Sequence, residues 1–258
     1  MQKAIQTISI VGAGNVATQL AKHLKSVGIE IVSCSSKNGK NASALANQLN
    51  TTVVASLTDL PEVDLVLVCV NDDAISTVLH EIPAHLNVAY TSGSVELTAL
   101  PQRERLGVFY PLQTFTKGIE LDLTHVPFLI ESTNPSWGDE LQVLAKKISS
   151  QVHWATSEDR KRLHVGAVFV NNFTNHLAHL ADQFLKAKQL NFELLVPLLQ
   201  ETSKKLQFIS PYDAQTGPAR RGDLLILEQH KQLLDGNALE IYELLSKSIL
   251  DTYKKLEE

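Results

Sequence analysis

Short apolar runs alternate with stretches of helical spacing through the first part of the chain. Ile5–Val11 is apolar and rich in β-branched residues, which predicts a strand. Val16–Val27 follows with Val16, Leu20, Leu24 and Val27 on one helical face. Ile29–Cys34 predicts the next strand, Ala42–Leu49 a helix and Thr52–Ala55 a short strand. Asp64–Val70 is almost wholly apolar, the pattern of a strand covered on both faces. Ala74–Glu81 has helical spacing; Asn87–Thr91, Val108–Tyr110 and Phe128–Glu131 are strand-like. A helix over Asn134–Ser149 and a last strand over Val152–Ala155 complete the series. Such alternation predicts βαβ units in an α/β fold, with a mostly parallel sheet and helices on both faces.

The strand pattern stops at Ala155. Thr156, Ser157, Glu158 and Asp159 form a helix-start cluster of cap hydroxyls and first-turn acids. A long helical pattern runs from there to about Leu190; Phe192–Phe208, Leu224–Leu233 and Ala238–Lys255 predict three more helices. Pro197 lies near the start of the second, where proline is tolerated. The reading is an α/β domain over 1–155 and an all-helical domain over 156–258, with Lys254–Glu258 as a solvated helix end.

Composition narrows the possibilities. Of 258 residues, 44% are hydrophobic and 20% charged, the balance of a chain with a real core. Lys and Arg number 23 against 28 Asp and Glu, a net charge of −5, which argues against nucleic acid or an anionic membrane surface as partner. The apolar runs fall far short of the roughly 20 residues of a membrane span. Gly12 and Gly14 interrupt the first of them, so it reads as strand and turn and not as a secretion signal. Cys34 and Cys69 fit free thiols in a reducing compartment, the cytoplasm, and no metal-ligand spacing is present.

Chemistry enters at Gly12-Ala13-Gly14-Asn15-Val16-Ala17, which follows the first strand and opens the first helix in the form G-x-G-x-x-A. The first glycine permits the tight turn, the second lets the backbone approach a pyrophosphate, and the final small residue lets helix and strand pack closely. The free N–H groups of the helix start then face the phosphates. Gly12, Gly14, Asn15 and Val16 are therefore expected at a dinucleotide. A carboxylate closing the second strand would hold the ribose 2′-OH of NAD. Ser35, Ser36 and Lys37 stand there instead, two hydroxyls and a cation suited to a 2′-phosphate, and the expected cofactor is NADP. Loops at the carboxyl ends of other strands should meet it too: Val70, Asn71 and Asp72, then Ser92 and Gly93, then the Tyr110–Thr114 segment. Asp72 and Asp73 could equally cap a helix, and Ser92-Gly93-Ser94 could be a plain turn.

These segments resemble a known superfamily. G-A-G-N-V-A, S-S-K, V-N-D-D-A-I and T-S-G-S look like the Rossmann domain of the β-hydroxyacid-dehydrogenase-like group. That group includes ketopantoate reductase, pyrroline-5-carboxylate reductase, prephenate dehydrogenase and the deazaflavin-dependent NADP reductases. Tyr110–Phe115, His164–Phe173 and Thr216–Asp223 are most similar to bacterial NADP-oxidoreductase-like proteins with a C-terminal helical domain of unknown function. The resemblance implies a Rossmann-like domain, a helical second domain and NADP, without a substrate. In the hydroxyacid dehydrogenases the helix after the Rossmann domain bears a lysine and, four residues on, an asparagine. Aligning the asparagine pair puts Asn172 on that asparagine and Val168 on that lysine. The departure weighs against hydroxyacid or ketoacid chemistry.

His164, Val168 and Asn172 recur at spacing four and should share a stripe. His164 could exchange a proton with a substrate oxygen, and Asn172 could orient the reacting atom. At least one of Asn171 and Asn172 is expected to bond across the cleft between the domains, and Asn171 is expected at the substrate; the bland alternative for His164 is a histidine satisfied by packing. Arg220 and Arg221, in the Gly217–Asp223 loop, are always-charged donors for a substrate anion or a phosphate, or surface arginines paired with acids. The resulting expectation is an oxidoreductase that moves a hydride between NADP(H) and a small, anionic metabolite. The alternatives are a non-catalytic NADP-binding sensor and a deazaflavin–NADP reductase. Leu194, Leu195, Leu198 and Leu199, with Leu239, Ile241, Leu244, Leu245 and Ile249, supply more apolar faces than one domain can cover. A homodimer through the helical domain is expected.

Overall fold

A computed structural model describes residues 4–254. The chain divides into two compact units, Met1–Asn171 and Asn172–Glu258. Unit one is built on an eight-stranded sheet: β1 (Thr7–Val11), β2 (Glu30–Ser35), β3 (Thr52–Val53), β4 (Leu65–Val68), β5 (Val88–Tyr90), β6 (Leu106–Pro111), β7 (Phe128–Ser132) and β8 (Val152–Trp154). The order across it is β3-β2-β1-β4-β5-β6-β7-β8. This is a Rossmann-like, mostly parallel sheet whose chain reverses its direction of travel between β1 and β4, the switch point at which open α/β sheets take ligands. The β6–β7 pair is antiparallel. No helix forms between those two strands, so the chain returns without the crossover that a parallel partner needs.

The helices of this unit are α1 (Asn15–Ser26), α2 (Gly39–Leu49), α3 (Ile75–Glu81), α4 (Pro135–Ala145) and α5 (Ser157–Ala167). All four residues of β4 are buried. Leu65 and Leu67 face one apolar layer, shared with Leu20, Leu24, Leu45 and Leu141 of the helices. Val66 and Val68 face the other, with Ile75 and Leu79 of α3. The strand is apolar throughout because both its faces are cores. Cys34 and Cys69 are buried free thiols, one at each end of the β2–β1–β4 segment of the sheet. Burial pushes their pKa values up, to about 11 for Cys34 and to about 12 for Cys69.

Caps set the helix starts where polar signals predict them. Asn134 accepts from the amides of Ser136 and Trp137, with Pro135 in the first turn of α4. Thr156 accepts from the Asp159 amide at 3.1 Å and opens α5. The helix pattern expected to run from there to Leu190 is interrupted. Val168–Phe173 is a π-helical segment, and a regular helix, α6 (Thr174–Lys186), resumes after it. A π turn holds one more residue than an α turn, so the spacing-of-four stripe through His164, Val168 and Asn172 does not continue in register across it.

The buried side chain of Arg160 ties helix α5 to the sheet. Arg160 is 1% exposed. Its Nε donates to the Ser92 carbonyl at 3.1 Å and its two terminal nitrogens reach Glu131 on β7, the Val95 carbonyl and the Tyr90 hydroxyl. Glu131 in turn accepts from the amide and the hydroxyl of Ser157 in the first turn of α5.

Unit two continues with α7 (Val196–Lys205), a single turn α8 (Pro218–Arg221), α9 (Leu224–Lys231) and α10 (Gly236–Lys254). The helix expected over Phe192–Phe208 begins as a 3₁₀ turn, Phe192–Leu195, because Pro197 has no N–H to join an α-helical ladder and serves only in its first turn. Everything beyond residue 254 in the predicted Lys254–Glu258 helix end lies outside the described residues. Asp223 caps α9, its carboxylate accepting from the Ile226 amide at 3.3 Å. Tyr212 stacks on Tyr253 at 4.5 Å between ring centroids. Among the described residues of this unit only Ala214, Ala219, Leu227 and Tyr253 are buried. Among the described residues, no helix is long and apolar enough to cross a membrane.

Removing one partner of a buried ion pair strands the other charge, at a cost of about 3–5 kcal/mol. Arg160→Ala is therefore expected to lower the stability of the first unit by that amount in urea denaturation, and Arg162→Ala, an exposed neighbour, by less than about 0.5 kcal/mol.

Candidate active site

The loops that follow β1, β2, β4, β5 and β6 all leave the carboxyl edge of the sheet, since these strands are parallel. The first is the glycine turn. Gly12 has φ +116°, and a Cβ built on it would lie 2.1 Å from the Cys69 carbonyl oxygen. Only glycine fits between β1 and the end of β4 there. Its amide donates to the Ser35 carbonyl at 2.7 Å, while the Cys69 amide donates to the Val11 carbonyl at 2.7 Å, so the turn is stitched to both neighbouring strands. Gly14, the residue before α1, is exposed, and a Cβ added to it would meet nothing within 4 Å. No side chain caps α1 and no acid lies in its first turn.

That helix start keeps its amide dipoles for a ligand, and its surroundings fit a dinucleotide phosphate. Asn15 holds the neighbouring loop through the Phe115 carbonyl at 2.9 Å, and Val16 is half-buried behind it. At the end of β2, Ser35 is buried, Ser36 half-buried and Lys37 exposed. The next carboxyl-edge polar residue, Asn38, caps α2. The donor set beside β2 is thus hydroxyl and ammonium, with no carboxylate between Val32 and Lys40.

The loops after β4 and β5 are tied together. Asp72 accepts from the Ser94 hydroxyl, so it braces one loop against the other and does not cap α3. Val70 is half-buried and Asn71 exposed. Ser92 is buried, with its Oγ accepting from the amides of Ser94 and Val95 at 3.1 and 3.0 Å and its carbonyl taken by Arg160. Its side chain is engaged within its own loop, and Gly93 presents backbone. A Cβ on Gly93 would sit 2.7 Å from His164 Nδ1 and 2.7 Å from Tyr110 Cζ. His164 and Tyr110 are themselves in contact, Tyr110 Oη lying 3.1 Å from His164 Nδ1.

The first unit thus gathers Gly12, Gly14, Asn15, Val16, Ser35, Ser36, Lys37, Val70, Asn71, Asp72, Ser92, Gly93 and His164 along or beside one edge. In the second unit Arg220 stacks over the Tyr253 ring at 4.1 Å, and Arg221 is exposed. Asn171 and Asn172 stand at the division between the units, inside the π segment. Three residues of the site make contacts that the sequence pattern does not mark. Arg160 is one of three basic residues in Arg160-Lys161-Arg162, and nothing in their spacing distinguishes the buried one. Glu131 closes an apolar strand, but nothing in that position names a buried arginine as its partner. Tyr110 opens the segment expected near the cofactor and lies in β6, but its place there does not disclose a histidine as its partner.

Two family models match the chain. One, described as "NADP oxidoreductase coenzyme F420-dependent", covers residues 7–90, and the other, "Domain of unknown function (DUF2520)", covers residues 126–249. No curated protein matches. Among solved structures, the chain is 34% identical to the "putative NADP oxidoreductase BF3122 from Bacteroides fragilis", with a TM-score of 0.87, covering 96% of this chain and 98% of that one. It is 16% identical to 1-pyrroline-5-carboxylate reductase from Streptococcus pyogenes, with a TM-score of 0.63 over 97% of this chain and 98% of that one. It is 13% identical to a reductive aminase from Aspergillus terreus solved with NADPH and ethyl-5-oxohexanoate, with a TM-score of 0.69 over 97% of this chain and 96% of that one. These last two likenesses show the fold alone. The fold and the matched N-terminal domain define a protein of the Rossmann-type oxidoreductase class. The chain belongs to the NADP oxidoreductase family represented by the Bacteroides fragilis protein.

Because the Gly12 Cβ position coincides with backbone and not with a movable side chain, Gly12→Ala should lose NADPH binding at least 10-fold. It should also destabilise the first unit by about 1–3 kcal/mol, the cost of a strained φ/ψ. Nicotinamide fluorescence and urea denaturation measure the two effects.

Proposed function

We propose that the protein is an NADP-dependent oxidoreductase acting on a carbonyl or imine of a small, anionic metabolite. The observation that carries this reading is the glycine turn at the head of α1 together with Ser35, Ser36 and Lys37 at the end of β2, a phosphate cradle without the carboxylate that would select NAD. Membership of the family supports it. NADPH supplies the hydride when bound. The protein's task is to hold the two partners and to manage a proton and charge. We assign the proton to His164, the orientation of the reacting atom to Asn172 with Asn171 beside it, and the anionic group to Arg220 or Arg221. Val168 in place of a lysine directs the reading toward imine or simple carbonyl chemistry and away from hydroxyacids. A second reading, hydride exchange between NADP(H) and a deazaflavin, is favoured by the description of the family model over residues 7–90.

The test is a pair of titrations followed by turnover. NADPH should bind more tightly than NADH, and equal or tighter NADH binding sinks the cofactor assignment. With cyclic imines, oxo acids and a deazaflavin offered in turn, His164→Ala should keep NADPH affinity while turnover falls by about 10²–10⁴, the usual contribution of a proton-transfer group. Turnover of the variant at the parent rate would leave His164 as packing only.

We also propose a homodimer formed through the helical unit. Leu194, Leu198, Phe208, Leu225, Leu233 and Leu244 are each exposed by more than 60% in a unit that buries so little of itself. Sedimentation at micromolar concentration should give twice the 28.4 kDa chain mass, and a species of chain mass alone refutes the assembly.

A further inference from the structure

We propose that Tyr110 is the positioning residue for His164: it holds Nδ1 of the imidazole so that Nε2 is the nitrogen that gives and takes the proton. This deepens the proposed function and rests on its assignment of the proton to His164. Three features of the first unit converge on the pair.

Tyr110 Oη lies 3.1 Å from His164 Nδ1, and the two rings meet edge to face, at 6.2 Å between centroids and 62° between planes. The contact joins residues from β6 and α5 that the chain separates by 54 positions. Gly93 closes one side of it. A single added carbon there would lie 2.7 Å from Nδ1 and 2.8 Å from Tyr110 Oη, so the bare backbone of the loop packs against the hydrogen bond itself. That loop is not free to drift. Arg160 takes the Ser92 carbonyl, and Asp72 takes the Ser94 hydroxyl. The glycine, the tyrosine and the histidine form one packed unit on a rigid mount, which is the condition for a preorganised proton-transfer group.

The phenol stays neutral through the physiological range. Burial raises its pKa and the Asp72 carboxylate raises it further, while the Arg160 guanidinium works in the opposite direction. The phenol has both an O–H and oxygen lone pairs; in the arrangement proposed its oxygen accepts from Nδ1–H, a role it can keep in both protonation states of the ring. The change of protonation then falls on Nε2. In the reducing direction the carbonyl or imine carbon would take the hydride that NADPH supplies when bound, the C=O or C=N π bond opens, and the heteroatom takes the Nε2 proton. The imidazolium becomes the neutral Nδ1–H tautomer, and water restores the proton at Nε2. In the oxidising direction the Nε2 lone pair accepts the proton from the alcohol or amine.

Nitrogen-15 NMR of histidine-labelled full-length protein reads the tautomer directly, with the His164 signals assigned by their loss in His164→Ala. At a pH where imidazoles are neutral, the wild-type ring should be the Nδ1–H tautomer. Tyr110→Phe, with an unchanged circular dichroism spectrum, should turn it to the Nε2–H form that free imidazoles prefer. Should that variant fail to fold, Gly93→Ala, which forces the pair apart, should give the same change. Saturating NADP⁺ should shift both His164 nitrogens in the wild type. A wild-type ring already in the Nε2–H form, a tautomer indifferent to both variants, or resonances unmoved by bound NADP⁺ would each overturn the proposal. A failure of the proposed function is seen separately, as absence of NADPH binding by fluorescence.

Discussion

Arg160 carries a guanidinium group, and it is buried. That is tolerable only because acceptors surround it: the Glu131 carboxylate, the Ser92 and Val95 carbonyls and the Tyr90 hydroxyl. They come from separate pieces of the first unit. Glu131 is on β7, Tyr90 on β5, and Ser92 and Val95 lie in the loop that follows β5. The requirement that one guanidinium be satisfied therefore fixes the register of α5 on the sheet and the path of the loop. Replacing the charge by an apolar side chain would remove the cost of burial, but it would also remove the reason for the loop to hold its shape.

The geometry of the carboxyl edge inherits this constraint. Gly93 is pressed against Tyr110 and His164 because its neighbours are bound on one side by the guanidinium and on the other by Asp72. His164 lies one helical turn beyond Arg160 on α5, so the residue that anchors the helix also places the imidazole. At the far end of the edge a different rule applies. Gly12 is placed by pure exclusion, since the Cys69 carbonyl occupies the space a side chain would need. One end of the site is held by polar saturation and the other by steric fit.

Local rules make the sheet legible. An apolar run such as β4 must be covered on both faces, and a G-x-G-x-x-A turn between strand and helix has few other uses. The antiparallel β7 is harder, because strand patterns carry no direction and the sign depends on what lies between β6 and β7. The π segment at Val168–Phe173 is invisible to a periodicity of four, which assumes every turn to be alike. In the site, the residues that face outward along the edge are readable from their place after a strand. Arg160 and Glu131 are not, because their importance is a property of contacts between segments 29 positions apart. Ser92 shows the opposite error of scale: its place in the motif is clear, but the occupation of its hydroxyl by its own loop depends on backbone geometry.

The two cysteines give the first unit an internal clock. With pKa values pushed to about 11 and about 12 inside the sheet, both thiols are protonated and shielded in the closed state. Alkylation by a bulky reagent then requires the strands to separate, and its rate measures how often β2 or β4 opens. Cys69 abuts the Gly12 turn, so its trapping rate reports the breathing of the dinucleotide loop, while Cys34, on β2, reports the sheet beside it. A ligand that pins the turn would slow the first rate far more than the second, and the ratio would locate bound molecules along the sheet without any spectroscopic label.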